Sequence, residues 1–178
     1  EELHGVCYAY PDIPDRVQHV IVGMDNRVTK VTDVPLEGMP MIHDMSLTEK
    51  YALIYDLPVC VDIEMAMAGK RFPFAWSDEH EPRVGLLPRD GEAKDIIWCE
   101  APKCYVFHPV NAFDLETSEG NSKVVVDLCR FDRMFHSDLH GPDESIPKLA
   151  RWTIDPSTRT VSEEIVSEQS QDFPTHDP

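Results

Sequence analysis

Short apolar runs separated by turn residues fill the chain, and no long stretch keeps a helical period. "HVIVGM" and "VTKVTDVPL" flank an Asp25-Asn26 turn and read as the strands of a hairpin. "MPMIHDMSL" and "YALIYDLPV" flank "TEK" in the same way. "RVGLLPRDGEAKDIIWCE" holds short apolar runs on either side of an Arg89-Asp90-Gly91 turn. "KCYVFHPVNAFDL" pairs with "KVVVDLCRF" across a polar loop, and "KLARWTI" with "TVSEEIVSE" across "DPSTR". The helix candidate, "IEMAMAGK", is short. With 15 Pro along the chain, this pattern predicts an all-β fold of many short strands. Hairpins recurring every ~40 residues suit the blades of a β-propeller, with a sandwich as the other all-β solution. No linker is visible, so residues 1–178 are expected to form one unit without an internal boundary. The segments 67–83 and 131–147 exceed ordinary hairpin loops, which marks each as functional or mobile.

Composition narrows the function classes. The 178 residues are 42% hydrophobic and 28% charged, ordinary for a globular domain with a real core. No run of apolar residues is long enough to span a bilayer as a helix. A net charge of -17 repels phosphate backbones, so a nucleic-acid partner is not expected. The five Cys are odd in number and irregularly spaced, which reads as reduced thiols in a cytoplasmic compartment. The start "EELHGVCYAY" shows neither a basic nor an apolar leader region and begins in mid-pattern, as a piece of something longer would.

Two of the eight histidines stand where a strand should carry another apolar residue. His43 sits in "MIHDMSL" and His108 in "YVFHPVNAF". A lone His of this kind is more often a hydrogen-bonded rim residue than a ligand, but two of them, each opening a turn-like exit, bring the two readings level. Imidazole suits Zn, Cu, Fe or Ni, and strand ends converging on a propeller axis could bring several together. His136 and His140 in "HSDLH" have i, i+4 spacing without a surrounding helix, so a solvated loop is expected. Cys99 and Cys104 in "CEAPKC" lack a second pair and read as core thiols, and "SDEHE" as a solvated charge run. Nucleophile-elbow, phosphate-loop, dinucleotide-binding and H-E-x-x-H motifs are absent.

Taken in order, "MPMIHDMSLTEKYALIYDLPV", "RFPFAWSDEHEPRVGLLPRDG", "YVFHPVNAFD…VVVDLCRF" and "SQDFPTHDP" closely resemble the carotenoid cleavage oxygenase family, including its lignostilbene-cleaving members. The resemblance covers essentially the whole chain. It implies a seven-bladed β-propeller with a non-haem Fe(II) held on its axis by four His, of which this chain would supply about four blades. By motif, His43 and His108 match two of the iron ligands, and the remaining ligands would lie outside this sequence. Two imidazoles alone are expected not to hold iron tightly. Asp172 in "DFP" matches an outer carboxylate that orients a ligand imidazole, where the family carries the longer Glu. Asp114, where the family often has Glu, is expected to be a surface residue.

The resemblance further implies an enzyme that splits a carbon–carbon double bond of a carotenoid, apocarotenoid or stilbene-like substrate with O2, giving two carbonyl products. Met65, Met67, Phe72, Phe74 and Trp76 fall where relatives have a substrate-tunnel mouth and an apolar patch that touches membranes; packing of these residues in the core is the alternative. An isomerase on the same scaffold and a non-catalytic propeller used for binding are the competing functions. Substrate, bond position and oligomeric state are not legible.

Overall fold

A computed structural model describes residues 2–9, 12–116, 122–137 and 144–175. It is built almost entirely of antiparallel strands. The first three, β1 (Leu3–Ala9), β2 (Ile13–Val22) and β3 (Val28–Pro35), form a three-stranded meander. The β2–β3 turn carries Asn26 in the left-handed region at φ 59°, a conformation Asn tolerates.

Two four-stranded meanders follow. The first orders β4 (Met45–Leu47), β5 (Tyr51–Asp56), β8 (Arg83–Pro88) and β9 (Ile97–Glu100). Between β5 and β8 lie a two-stranded ribbon, β6 (Val59–Val61) with β7 (Phe74–Trp76), and the helix α1 (Ile63–Met67), capped by Asp62 Oδ1 on the Met65 N–H. The second orders β10 (Tyr105–Glu116), β11 (Ser122–Phe131), β12 (Lys148–Asp155) and β13 (Thr160–Ser167). The two meanders touch through one parallel pair, Thr160 opposite Glu100, and β4 lies against β10. Sequentially ordered antiparallel meanders of this size are what propeller blades look like.

Burial explains the sequence pattern. Ala52, Leu53, Ile54, Tyr55 and Asp56 on β5 are all buried, because both faces of that strand are covered. Leu53 and Tyr55 join the main core with Val84, Leu86, Tyr105, Val126, Leu128 and Trp152. Ala52 and Ile54 face the other way, onto Val17, Val34, Leu36, Ile42 and Leu87, which seats the three-stranded meander. A strand buried on both faces reads as a continuous apolar run, not an alternating one. Gly85 is required at such a close approach: a Cβ there would lie 2.6 Å from Ile96 Cδ1 and 2.8 Å from Trp98 Cζ3. The exposed strand β13 alternates instead, with Val161, Glu163 and Ile165 turned inward.

The run around His43 is not all strand. Residues 41–44 have no regular structure, and β4 starts at Met45. The acidic run after Trp76 is not wholly solvated either. His80 Nε2 donates to Asp56 Oδ1 at 2.7 Å, and Arg83 Nε donates to Asp56 Oδ2 at 2.7 Å, with Asp56 fully buried. This partnership spans 24 residues and has no local signature.

Candidate functional site

The segment before His43 is held rigidly. Met41 N–H donates to the Val59 carbonyl at 2.7 Å, and the buried Tyr105 hydroxyl donates to the Met41 carbonyl at 2.9 Å. Met41 and Ile42 are buried, and the chain then turns outward, so His43 presents its ring at the surface of the described residues. Asp44 Oδ1 accepts the Met45 N–H at 2.7 Å and fixes the entry into β4.

His108 lies on β10 where the register with β11 shifts between Val106 and Pro109. A bulge of this kind bends the strand and re-aims a side chain. The result brings the two histidines together. Their ring centroids are 5.2 Å apart at 82°. Phe107 packs edge-on against His43 at 5.1 Å, and Phe173 covers His108 at 4.5 Å. Phe173 does so from the left-handed region at φ 52°, a costly conformation for a bulky residue.

Asp172 joins the same group. Its Oδ1 stands 2.8 Å from His108 Nδ1, with both side chains about one-fifth exposed. A carboxylate accepts, so Nδ1 carries the ring proton and the Nε2 lone pair is left available. The His43 imidazole is lowered from its ordinary value, first by desolvation and then by the neighbouring His108, against the pull of Asp44 and Asp172. A neutral imidazole is the form that binds a metal. Two converging imidazoles, one with its ring proton held by Asp172, fit part of a multi-histidine metal site. Among the described residues no group of three or more His, Cys, Asp and Glu side chains converges on a metal position.

The residues of the 63–76 loop divide. Met67 is 85% exposed and Phe72 43%, whereas Phe74 and Trp76 are buried on β7. Met65 is half-buried on α1. Trp76 donates its indole N–H to Asp78 Oδ1 at 3.0 Å and lies under the Arg133 guanidinium. Phe72 packs on Phe135 at 4.9 Å, Phe135 reaches Phe107 at 6.2 Å, and Phe107 touches His43. Aromatic rings therefore run continuously from the surface loop to the histidine pair. Phe107, Phe135 and Phe173 were not singled out by the sequence, in which they look like ordinary core residues.

Asp114 is more than a surface residue. It accepts the Thr48 hydroxyl at 3.2 Å and the Lys50 N–H at 3.0 Å, tying β10 to the β4–β5 turn. His136 is exposed, with its backbone N–H donated to Glu144; His140 lies outside the described residues. Cys99 and Cys104 are buried thiols, as their apolar neighbours imply.

The family model described as retinal pigment epithelial membrane protein matches residues 1–178. A carotenoid cleavage oxygenase of Mycobacterium tuberculosis is 33% identical over 97% of the chain, which spans 42% of that relative's length. An isoeugenol monooxygenase of Pseudomonas putida is 31% identical over 77% of the chain and 29% of its own length. Among solved structures, the lignostilbene dioxygenase of Pseudomonas brassicacearum superposes with a TM-score of 0.82 at 25% identity, over 98% of this chain and 37% of that one. A cobalt-substituted oxygenase of Synechocystis gives a TM-score of 0.75 at 21% identity, over 90% and 34%, a likeness of fold.

Proposed function

Since the chain belongs to the family of the retinal pigment epithelial membrane protein and the carotenoid cleavage oxygenases, we propose that the full-length protein is a non-haem Fe(II) dioxygenase. Its reaction is the oxidative cleavage of a carbon–carbon double bond in a carotenoid, apocarotenoid or stilbene-like substrate, giving two carbonyl products. Residues 1–178 form part of a seven-bladed propeller in this reading, and the rest of the protein completes both the ring and the iron site.

The observation that carries the reading is the convergence of His43 and His108 at 5.2 Å with Asp172 bonded to His108. His43 and His108 would hold the iron through their unprotonated nitrogens. Bound there by neutral ligands, Fe(II) supplies a Lewis-acidic, electron-donating centre for O2 chemistry. Asp172 keeps the His108 proton on Nδ1 and makes the opposite nitrogen a better donor. Phe107 packs on His43 and Phe173 on His108, and the exposed Phe173 ring offers a flat apolar face to a conjugated substrate. Met67 and Phe72 provide exposed apolar surface through which such a substrate can be taken from a membrane or micelle.

The test is product analysis on the full-length protein with polyene and stilbene substrates. Uptake of O2 with formation of two carbonyl fragments per alkene supports the reading. Geometric isomerisation without O2 uptake, or binding without turnover, overturns it.

A further inference from the structure

A second pair of histidines lies in the interior, away from His43 and His108. His4 on β1 and His19 on β2 stack with centroids 5.2 Å apart at 24°, and His4 Nδ1 stands 3.0 Å from His19 Nε2. The His4 side chain and His19 are each only 1% exposed. On its other side, His4 Nε2 is 2.9 Å from Arg89 Nη2. Arg89 follows β8 and is anchored there, with its N–H on the Lys50 carbonyl and its guanidinium on the Thr48 carbonyl. The row Arg89–His4–His19 therefore joins the three-stranded meander to the adjacent four-stranded one. Lys30 on β3 makes a parallel tie, donating to the Gly91 carbonyl at 2.6 Å with Glu92 at 3.5 Å.

The proton positions in this row are determined by its donors. A guanidinium can only donate, so His4 Nε2 accepts and the His4 proton sits on Nδ1. That proton points at His19 Nε2, which must accept in turn. Both imidazoles are thus neutral, each in one tautomer. An added proton on His19 Nε2 would face the His4 N–H, and one on His4 Nε2 would face the Arg89 N–H. The charged groups around the pair do not relieve this. Arg89 and Lys30 are cations. Glu2 lies 3.6 Å from His4 Nε2 but is half exposed, and Asp90 and Glu92 belong to the turn after β8. Opposite His19 in the β2–β3 register stands Thr32, whose buried hydroxyl has no hydrogen-bond partner in the described structure.

We propose that the Arg89–His4–His19 row is an acid-sensitive latch that docks the β1–β3 meander on its neighbour at neutral pH and releases it in acid. Burial, then His4, Lys30 and Arg89, lower His19 from 6.5 to about 4. Burial and Arg89 lower His4 as well, opposed by Glu2 and Asp90. The docked state holds these imidazoles neutral and the released state binds protons, so docking is at full strength above about 6.5 and weakens as the pH falls towards 4. Across that window the opening equilibrium rises by up to about two orders of magnitude, tenfold for each pH unit once His19 alone titrates. Val17 and Val34 share a cluster with Leu36 and Ile42, so release also loosens the chain leading to His43.

Hydrogen exchange on the full-length protein tests this. Between pH 7 and pH 5, after correction for intrinsic rates, amides of β1–β3 should lose tenfold or more of their protection while those of β10–β13 keep theirs. Gln can accept and donate in the same row without titrating, so the His4→Gln/His19→Gln double variant should show no such local loss. Equal loss across all strands in the wild-type protein, or the same pH dependence in the double variant, would overturn the latch. Should the double variant not fold, the pH dependence of C2-proton exchange at His19 in the wild-type protein decides. A midpoint below 5 supports the latch, and one at or above 6 overturns it.

Discussion

Replacing Asp172 separates an orienting role from a structural one. Its carboxylate lies 2.8 Å from His108 Nδ1, and each side chain is about one-fifth exposed. A hydrogen bond to a charged group contributes roughly 1.5–3 kcal/mol. At about 1.4 kcal/mol for each factor of ten, that corresponds to a 10- to 100-fold loss in metal affinity when the partner is removed. Asp172→Ala in the full-length protein should approach the upper figure. Asp172→Asn retains an acceptor oxygen and should lose about tenfold, while Asp172→Glu restores the charge and should recover most of the affinity. Metal dissociation constants from competition with a chelator, measured beside melting temperatures, provide the assay. A fall in melting temperature with unchanged metal affinity in all three variants would refute the orienting role and leave Asp172 as a turn residue before Phe173-Pro174.

Other perturbations follow from the packing. Asp56→Ala strips both donors of a fully buried carboxylate; breaking such a pair costs ~3–5 kcal/mol, and the lower end applies here because Arg83 keeps its stacking on Trp98 at 4.1 Å. Urea unfolding reads this, and a cost under 1 kcal/mol would contradict it. Met67→Ser and Phe72→Ser should weaken turnover of substrate delivered in micelles with metal content unchanged, whereas Phe74→Ala should cost ~3–5 kcal/mol of stability; metal loss in the first two would remove the uptake role. Cys7 is exposed and the other four Cys are buried, with burial raising Cys60 to about 12 and Cys129 to about 11. Among the thiols of residues 1–178, Cys7 alone should therefore react before unfolding, as peptide mapping after brief alkylation would show.

The hairpins were legible because their signals are local. Turn residues such as Asn26 and the alternation along β13 are written in a few neighbouring positions. The histidine pair was legible from motif resemblance, and the bulge at Val106–Pro109 that aims His108 was not. β1 escaped notice because "LHGVCYA" has little alternation and depends on β2 for its pairing. The bonds of Asp56 to His80 and of Arg89 to His4 join residues 24 and 85 positions apart, so no window of sequence contains both partners. The loop 63–76 looked uniformly aromatic and apolar, yet the pairing of β7 with β6 buries Phe74 and Trp76 and leaves Met67 and Phe72 outside.

The central claim is that His43 and His108 hold one iron together, and metal analysis of the full-length protein tests it most directly. Purified anaerobically with Fe(II), the wild-type protein should carry close to one iron per chain. His43→Ala and His108→Ala should each carry little or none, with near-native circular dichroism, because His43 lies at the surface and His108 is half-buried rather than packed in the core. Wild-type iron content in either folded variant would contradict the account.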